Sequence, residues 1–430
     1  MANFVAEESE RFVQNVKENI RAQISDVGVI VDGRTAAVKS NEAFFDWLEF
    51  LKIFSHRIEQ FQRHFFSLIF NNEKISIFEL LKNAIFQRSI FAIKNFHISI
   101  ANRTQLIYND SMINIEQIAQ KFKSCDKIKI SFGEKLCRHD SFKIGGEAAL
   151  FVEAENVDSL CFAMDEIWRE KIPYFILGGG TNVVFADEGF AGIVVSTKKI
   201  NAISILENCE NKFDEKIIVC EAGAGTNALV NFACTHGIAG LEEFAGLPGT
   251  VGGAVYMNAR CFEKEISDVA RKISWIEWDG EKCVRREKIF SKENWGYKKS
   301  PFTGTQKIVT RVEFALPQNQ KNSAQKNSEL EKRAREFVAL RKQKGHFEFP
   351  CAGSVFKNNR AFGEPSGKII ESLGLKGTRI GGAQIAPFHA NIIINTGGAK
   401  CSDVRALVEL IKREAKSRLG FDLEEEIIFA

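Results

Sequence analysis

Apolar positions recur along this chain at two periods, and the period changes with position. From Glu42 to Phe70 the aromatics Phe44, Phe45, Phe50, Phe54, Phe61, Phe65, Phe66 and Phe70 return at helix-like spacing, with Lys52, Arg57, Glu59 and Arg63 between them. The pattern predicts helices there. Asp158 to Trp168 carries a second amphipathic pattern, with Asp158 near its N-cap. Further helices are expected at Asn227–His236, Glu329–Lys344, Gly367–Leu373 and Ser402–Leu419. The last should open on an N-cap serine, Ser402, and stop at Gly420 as the C′ residue. Short apolar or alternating runs predict strands at Tyr174–Leu177, Val183–Phe185, Gly192–Thr197, Lys216–Cys220, Ile273–Trp278, Ile308–Phe314 and Leu423–Phe429.

These elements sort into four segments. Residues 1–111 form a helical extension with Gly28 and Gly33 as its glycines and no proline. Three readings of it stay open: packing on itself or a neighbouring subunit, contact with a separate partner, or a stretch that is no natural part of the enzyme. Met112-Ile-Asn-Ile-Glu-Gln-Ile-Ala reads like a chain start, and activity is expected to begin there. Residues 112–200 read as helix, strand and βαβ traffic; residues 201–317 are strand-rich. A polar linker, 318–328, leads to a last domain, 329–430.

Composition narrows the function classes. A chain of 430 residues has room for two or three domains. Its net charge of +3 is too small to argue for nucleic acid or an anionic membrane. Ten cysteines are scattered without a Cys-x-x-Cys pair, which speaks against structural zinc and for reduced thiols in a cytoplasmic setting. The first residues lack the basic start and apolar core of a signal peptide, and no apolar run approaches a membrane span.

Candidate chemistry lies in the glycines. Ile176-Leu-Gly-Gly-Gly-Thr-Asn-Val-Val-Phe-Ala-Asp187 sets Leu177, Gly178, Gly179, Gly180, Thr181 and Asn182 between two apolar runs. Consecutive glycines cost backbone entropy, but without Cβ atoms several N–H groups can face one anion such as a pyrophosphate. The segment has no Gly-Lys-Ser/Thr, and strand follows it where a Rossmann turn would have helix. A second cluster, Gly246-Leu-Pro-Gly-Thr-Val-Gly-Gly-Ala-Val-Tyr-Met-Asn258, offers Pro248 to fix φ, Gly249 for a turn, and Gly252 and Gly253 for close approach to a ligand. Two clusters favour a dinucleotide cradle over accidental turns.

With Cys351-Ala-Gly-Ser-Val-Phe-Lys-Asn-Asn359 and the terminal Leu423-Glu-Glu-Glu-Ile427, these motifs make the chain resemble the UDP-N-acetylmuramate dehydrogenase (UDP-N-acetylenolpyruvoylglucosamine reductase) family from about Ile128 onward. The resemblance implies an α+β fold: a two-lobed FAD-binding domain of the vanillyl-alcohol-oxidase type, then a C-terminal α+β substrate-binding domain. It implies non-covalent FAD, NADPH as reductant and the enolpyruvyl ether of a UDP-sugar as substrate. Ser354 matches the family's proton donor and Glu426 its terminal glutamate, with Glu424 a rival on the same side by strand alternation. Lys298, in Tyr297-Lys-Lys-Ser300, stands where the family carries arginine; so does Lys143, in Phe142-Lys-Ile-Gly-Gly146. Asn258, Lys357, Asn358 and His389 match substrate-binding positions. His139 has no context for covalent flavin attachment, and tyrosine is absent between Lys298 and Ser354, as in the branch lacking a tyrosine-bearing capping loop. Two alternatives remain at this point: another FAD-linked oxidoreductase of the same superfamily, or a non-catalytic reductase-like binding protein.

Overall fold

The computed structural model describes residues 115–206, 215–317 and 324–430, together with a short antiparallel pairing of Ile30–Val31 with Arg34–Thr35. The chain divides into two units, Met1–Ile107 and Tyr108–Ala430. The helices expected at 42–70 lie outside the described residues, and everything below concerns the second unit.

A helix over residues 115–122 (α1) opens it. Ile115, Ile118, Ala119 and Phe122 are buried, at the i, i+3, i+4, i+7 spacing of a helix lying on a core. Next come β1 (Ile128–Lys135), β2 (Glu147–Ala154), α2 (Val157–Arg169), β3 (Tyr174–Leu177), β4 (Val183–Val184) and β5 (Phe190–Ser196). Their sheet runs β1-β2-β5-β3, antiparallel at β1/β2 and parallel elsewhere, so the expected βαβ traffic is present. Asp158 lies in the first turn of α2, near its cap as expected. Asn156, not Asp158, accepts from the Ser159 N–H at 2.9 Å, because Asn156 is the last residue with extended backbone.

The second lobe contains β6 (Ile203–Ile205), β7 (Glu215–Glu221), α3 (Thr226–Thr235), α4 (Val251–Tyr256), β8 (Ala270–Trp278), β9 (Cys283–Ile289) and β10 (Ile308–Pro317). These strands form one antiparallel sheet, β9-β8-β10-β7-β6. Helix α5 (Ala324–Gln343) starts inside the stretch expected to be linker. Its apolar face explains both that and a shifted boundary. Leu330 and Ala334 are buried in the core of the second lobe, so α5 packs there rather than with the C-terminal domain.

The C-terminal domain carries β11 (Cys351–Ser354), α6 (Ser366–Ser372), β12 (Arg379–Ile380), β13 (Ala383–Ile385), β14 (Ile392–Asn395), α7 (Cys401–Leu419) and β15 (Ile428–Phe429). The sheet order is β11-β14-β13-β12, all antiparallel. Helix α7 ends on Gly420 at φ 74°, as expected. Its start does not rest on Ser402. The Asp187 carboxylate of the first lobe accepts from the Cys401 N–H at 2.7 Å, the Ser402 N–H at 3.1 Å and the Ser402 hydroxyl at 2.9 Å. Burial pushes this carboxyl up, but the bonds from Ser402 and Cys401 outweigh it and hold it below its ordinary range. The expected terminal strand is shorter than Leu423–Phe429: only Ile428–Phe429 is regular, pairing in parallel with β4, while Glu425 bridges Phe356. The chain thus returns to the first lobe beside the first glycine cluster.

Candidate active site

The two glycine clusters meet. A Cβ on Gly179 would lie 2.4 Å from Gly249 Cα, and one on Gly178 2.5 Å from Thr250 Oγ1. On Gly180, at φ 68°, it would lie 2.4 Å from the His139 carbonyl. Gly179 and Gly180 are needed for close packing against backbone and Gly178 for close packing against the Thr250 side chain, a reason the sequence did not disclose. Gly252 behaves alike, since its Cβ would fall 2.8 Å from Ala222 Cβ. Its N–H donates to the Ala222 carbonyl at 2.7 Å. Gly253 is different: a Cβ there would meet only Thr250 Oγ1, at 3.5 Å. Thr250 caps α4, its hydroxyl accepting from the Gly253 N–H; a threonine just ahead of an apolar run was the available signal.

The glycine turn also leaves donors free. Among the described residues, no protein acceptor takes the backbone N–H of Gly178, Gly179, Gly180, Thr181 or Asn182. Consecutive unpaired donors beside a short helix N-terminus suit a diphosphate, so the residues present fit a dinucleotide such as FAD. His139 is engaged elsewhere, its Nε2 2.9 Å from Glu134 and its ring stacked on Phe151. Lys143 is exposed, at φ 61°, and its N–H turns back to the Asp140 carboxylate. Burial pushes Asp140 up to about 6 against that bond.

Ser354 is brought to the same place. Gly353, at φ 76°, would set a Cβ 4.0 Å from the Thr181 carbonyl, and Ser141 Oγ donates to the Cys351 carbonyl at 2.6 Å. Ser354 pairs with Ile392 in the sheet, while its hydroxyl has no protein partner among the described residues. Asn182 Nδ2 donates to the Glu426 carbonyl at 2.9 Å, and the Glu426 N–H donates to the Val355 carbonyl at 2.7 Å. One residue therefore joins the glycine turn to the serine strand.

Lys298 completes the group. Gly296 and Lys299 exchange N–H···O bonds across a tight turn whose central residues are Tyr297 and Lys298. Lys298 takes φ 54°, a left-handed conformation costing roughly 1–2 kcal/mol outside glycine. Its ammonium lies 2.5 Å from Glu426 Oε1, with both side chains largely withdrawn from solvent, 15% and 11% exposed. Tyr297, which sequence reasoning passed over, presents its hydroxyl oxygen to the Asn358 N–H at 3.4 Å.

The rival glutamates separate. Glu424 is 74% exposed and pairs with Lys357, whereas Glu425 pairs with Lys412. Asn258, expected at the substrate, is fully buried instead. Its Oδ1 accepts from the Ser267 N–H and its Nδ2 donates to the Gly296 carbonyl at 2.9 Å, so it holds the Lys298 turn. Asn358 Oδ1 accepts from the Ser366 N–H, which fastens the start of α6. His389 has a buried, unpartnered Nδ1, and its ring lies 5.9 Å from that of His346. Burial pushes both histidines down, His346 to about 4, so both are neutral at pH 7.

Comparison with known proteins agrees with this geometry. Residues 148–283 match the FAD binding domain model, and residues 345–430 match the C-terminal domain model of UDP-N-acetylenolpyruvoylglucosamine reductase. The reductase of Treponema denticola is 43% identical over 312 residues, covering 70% of this chain and 93% of that one. The Borreliella burgdorferi reductase is 38% identical over 297 residues, covering 69% and 93%. The solved reductase of Thermus caldophilus superposes with a TM-score of 0.54 at 28% identity, covering 70% of this chain and 98% of its own. Within the two lobes residues 148–283 match an FAD-binding domain, and the chain belongs to the UDP-N-acetylenolpyruvoylglucosamine reductase family.

Proposed function

We infer that this chain reduces the enolpyruvyl ether of UDP-N-acetylglucosamine to UDP-N-acetylmuramate in bacterial peptidoglycan precursor synthesis, with NADPH as reductant and FAD as cofactor. The observation that carries the residue-level reading is convergence: the glycine turn, Ser354, Glu426 and Lys298 are tied together by the bonds of Asn182 and Glu426. FAD, which the N–H groups of residues 178–182 would hold, would supply hydride-transfer chemistry between NADPH and the terminal alkene carbon. The N–H groups of residues 178–182 hold the cofactor's diphosphate charge. Lys298 stabilises negative charge as it develops on the carboxylate beside the alkene, in a site largely withdrawn from water. Lysine does this as a point charge, where an arginine fork would grip with two bonds. Glu426 fixes the ammonium in place. The Ser354 hydroxyl gives its proton to the alkene carbon that bears the carboxylate. A neutral hydroxyl can serve because the enolate it meets is strongly basic and a cation sits in the same site.

Under this reading the first FAD lobe spans 112–200, and the second spans 201–317 plus α5. The substrate-binding domain follows from about residue 345, with Lys357, Asn358 and His389 on its substrate side. Free cysteines accord with a cytoplasmic enzyme, and among the described residues no helix is long and apolar enough to cross a membrane. Residues 1–111 stand outside this reading, with a partner contact one role open to them. The test is spectroscopic. Purified protein should show flavin absorbance that NADPH bleaches and the enolpyruvyl sugar nucleotide restores. Bleaching without recovery on the sugar would reject the substrate, and protein without flavin would reject the enzyme.

A further inference from the structure

One pair of thiols lies away from the site just described, where helix α2 of the first lobe crosses strand β9 of the second. Two contacts to β9 and one to the end of β8 fix this crossing. The Asp165 carboxylate accepts from the Cys283 N–H at 2.7 Å, Asp158 pairs with Arg285, and the Trp168 and Trp278 rings pack 6.2 Å apart. Asp158, Cys161 and Asp165 fall on one face of α2, at i, i+3 and i+7. Cys283 and Arg285, two residues apart on β9, fall on one side of that strand. On either side of Cys161, Asp165 thus holds the Cys283 backbone and Asp158 holds Arg285, and the Cys161 and Cys283 thiols lie in contact. Both thiols pack against the same apolar cluster and both retain some exposure.

We propose that Cys161 and Cys283 form a reversible oxidation site, in which a hydroperoxide attacked by Cys161 leads to a disulfide that joins the two FAD-binding lobes. The Cys161 thiolate attacks one oxygen of hydrogen peroxide. An S–O bond forms, the O–O bond breaks, and hydroxide leaves to become water. The Cys283 sulfur then attacks the Cys161 sulfenic acid. The S–S bond forms, the S–O bond breaks, and hydroxide leaves with the Cys283 proton as a second water. Two thiols lose two electrons, and one peroxide is reduced to two waters.

The chemical setting divides these thiols from buried ones such as Cys220 and Cys234. Contact with Cys283, and after it the Arg285 guanidinium, draws the Cys161 thiol down to about 6, against burial and the Asp158 charge; its partner is pushed up. Cys220 and Cys234 are pushed up by burial, to about 12 and about 11, and stay inert thiols. The Arg285 guanidinium hydrogen-bonded to Cys161 favours its thiolate and makes it the attacking sulfur, with Cys283 the resolving one.

The test uses full-length holoenzyme, hydrogen peroxide at about one equivalent, and mass spectrometry of non-reduced peptides. The expected product is a Cys161–Cys283 cross-linked peptide, two thiols lost, and both restored by dithiothreitol. Cys283→Ser should leave a sulfenic acid at Cys161 that dimedone traps, while Cys161→Ser should leave Cys283 unoxidised. Arg285→Gln should slow Cys161 oxidation at pH 7 by up to roughly tenfold, as the thiolate fraction falls. Neither cysteine touches the proposed site, so both serine variants should keep flavin and turnover, which shows that they fold. First reaction at another cysteine, or Cys161 oxidised in the unaltered chain without a link to Cys283, would overturn the proposal.

Discussion

Replacing Ser354 by alanine removes one oxygen atom from the centre of the proposed site and almost nothing that holds the fold. The backbone pairing of Ser354 with Ile392 does not involve the side chain, and among the described residues the hydroxyl has no protein partner. Alanine adds no volume, and Gly353, which needs its positive φ, is untouched. The stability change should stay within about 0.5 kcal/mol. The chemical change is far larger. A positioned proton donor contributes about 10²–10⁴-fold, which at about 1.4 kcal/mol per decade is roughly 3–5.5 kcal/mol of barrier. The two half-reactions separate the effects. In stopped-flow absorbance, bleaching of the flavin by NADPH should proceed at nearly the unaltered rate. Recovery on adding the enolpyruvyl sugar should slow by at least about a hundredfold. Slow bleaching with normal recovery would refute the assigned role, as would a thermal midpoint lowered by many degrees with both halves impaired.

Other substitutions test the remaining contacts. Gly179→Ala drives a Cβ into the Gly249 backbone, which cannot swing aside, so the clusters must part; loss of cofactor and at least about 1–3 kcal/mol of stability are expected by thermal unfolding. Gly253→Ala makes only an ordinary contact with Thr250, so its thermal midpoint without cofactor should hold while a titration shows weakened FAD binding. Lys298→Arg should keep or raise turnover, because the fork retains the charge and grips better. Lys298→Ala leaves the Glu426 carboxylate mostly buried without its cation; kcat should fall about 10²–10³-fold, and sugar-nucleotide turnover near the unaltered rate would remove Lys298 from the mechanism. Asp187→Ala removes the cap of α7, costing about 1 kcal/mol and about 2–4 °C in thermal midpoint at pH 7. Its folded pKa is depressed, so the native carboxylate stabilises above the unfolded value near ~3.9 and loses that contribution as pH falls through the folded value. The gap between the two proteins in scanning calorimetry should therefore narrow in acid, and a gap that widens would exclude the carboxylate as its source.

The parts of this site that were legible in the sequence are those whose cause is local. Gly180, Gly246 and Gly249, the αL stop at Gly420 and the strand–turn–strand around Gly178 can be read because backbone conformation alone demands them. What stayed hidden is set by groups distant along the chain. The cap of α7 comes from Asp187 in another lobe, and no local pattern around Ser402 reveals it. Alternation put Glu424 and Glu426 on one side and only the family match favoured Glu426; the segment is irregular, and the approach of Lys298 to Glu426 and the exposure of Glu424 separate them in the fold. Asn258 matches a substrate-binding position of the family, yet Ser267 and Gly296 consume its amide. The glycines of the first cluster were read as room for a ligand, and part of that room is filled by the second cluster. Helix α5 began early because Leu330 and Ala334 find a core that a window of polar residues cannot indicate.

The most direct measurement is a crystal structure of the protein with FAD and the enolpyruvyl sugar nucleotide. The account predicts the FAD diphosphate within hydrogen-bond distance, about 2.7–3.2 Å, of N–H groups among Gly178–Asn182. It predicts the substrate carboxylate beside Lys298 and the Ser354 hydroxyl facing the alkene. A diphosphate seated away from residues 178–182, or an alkene beyond the reach of Ser354, would contradict it.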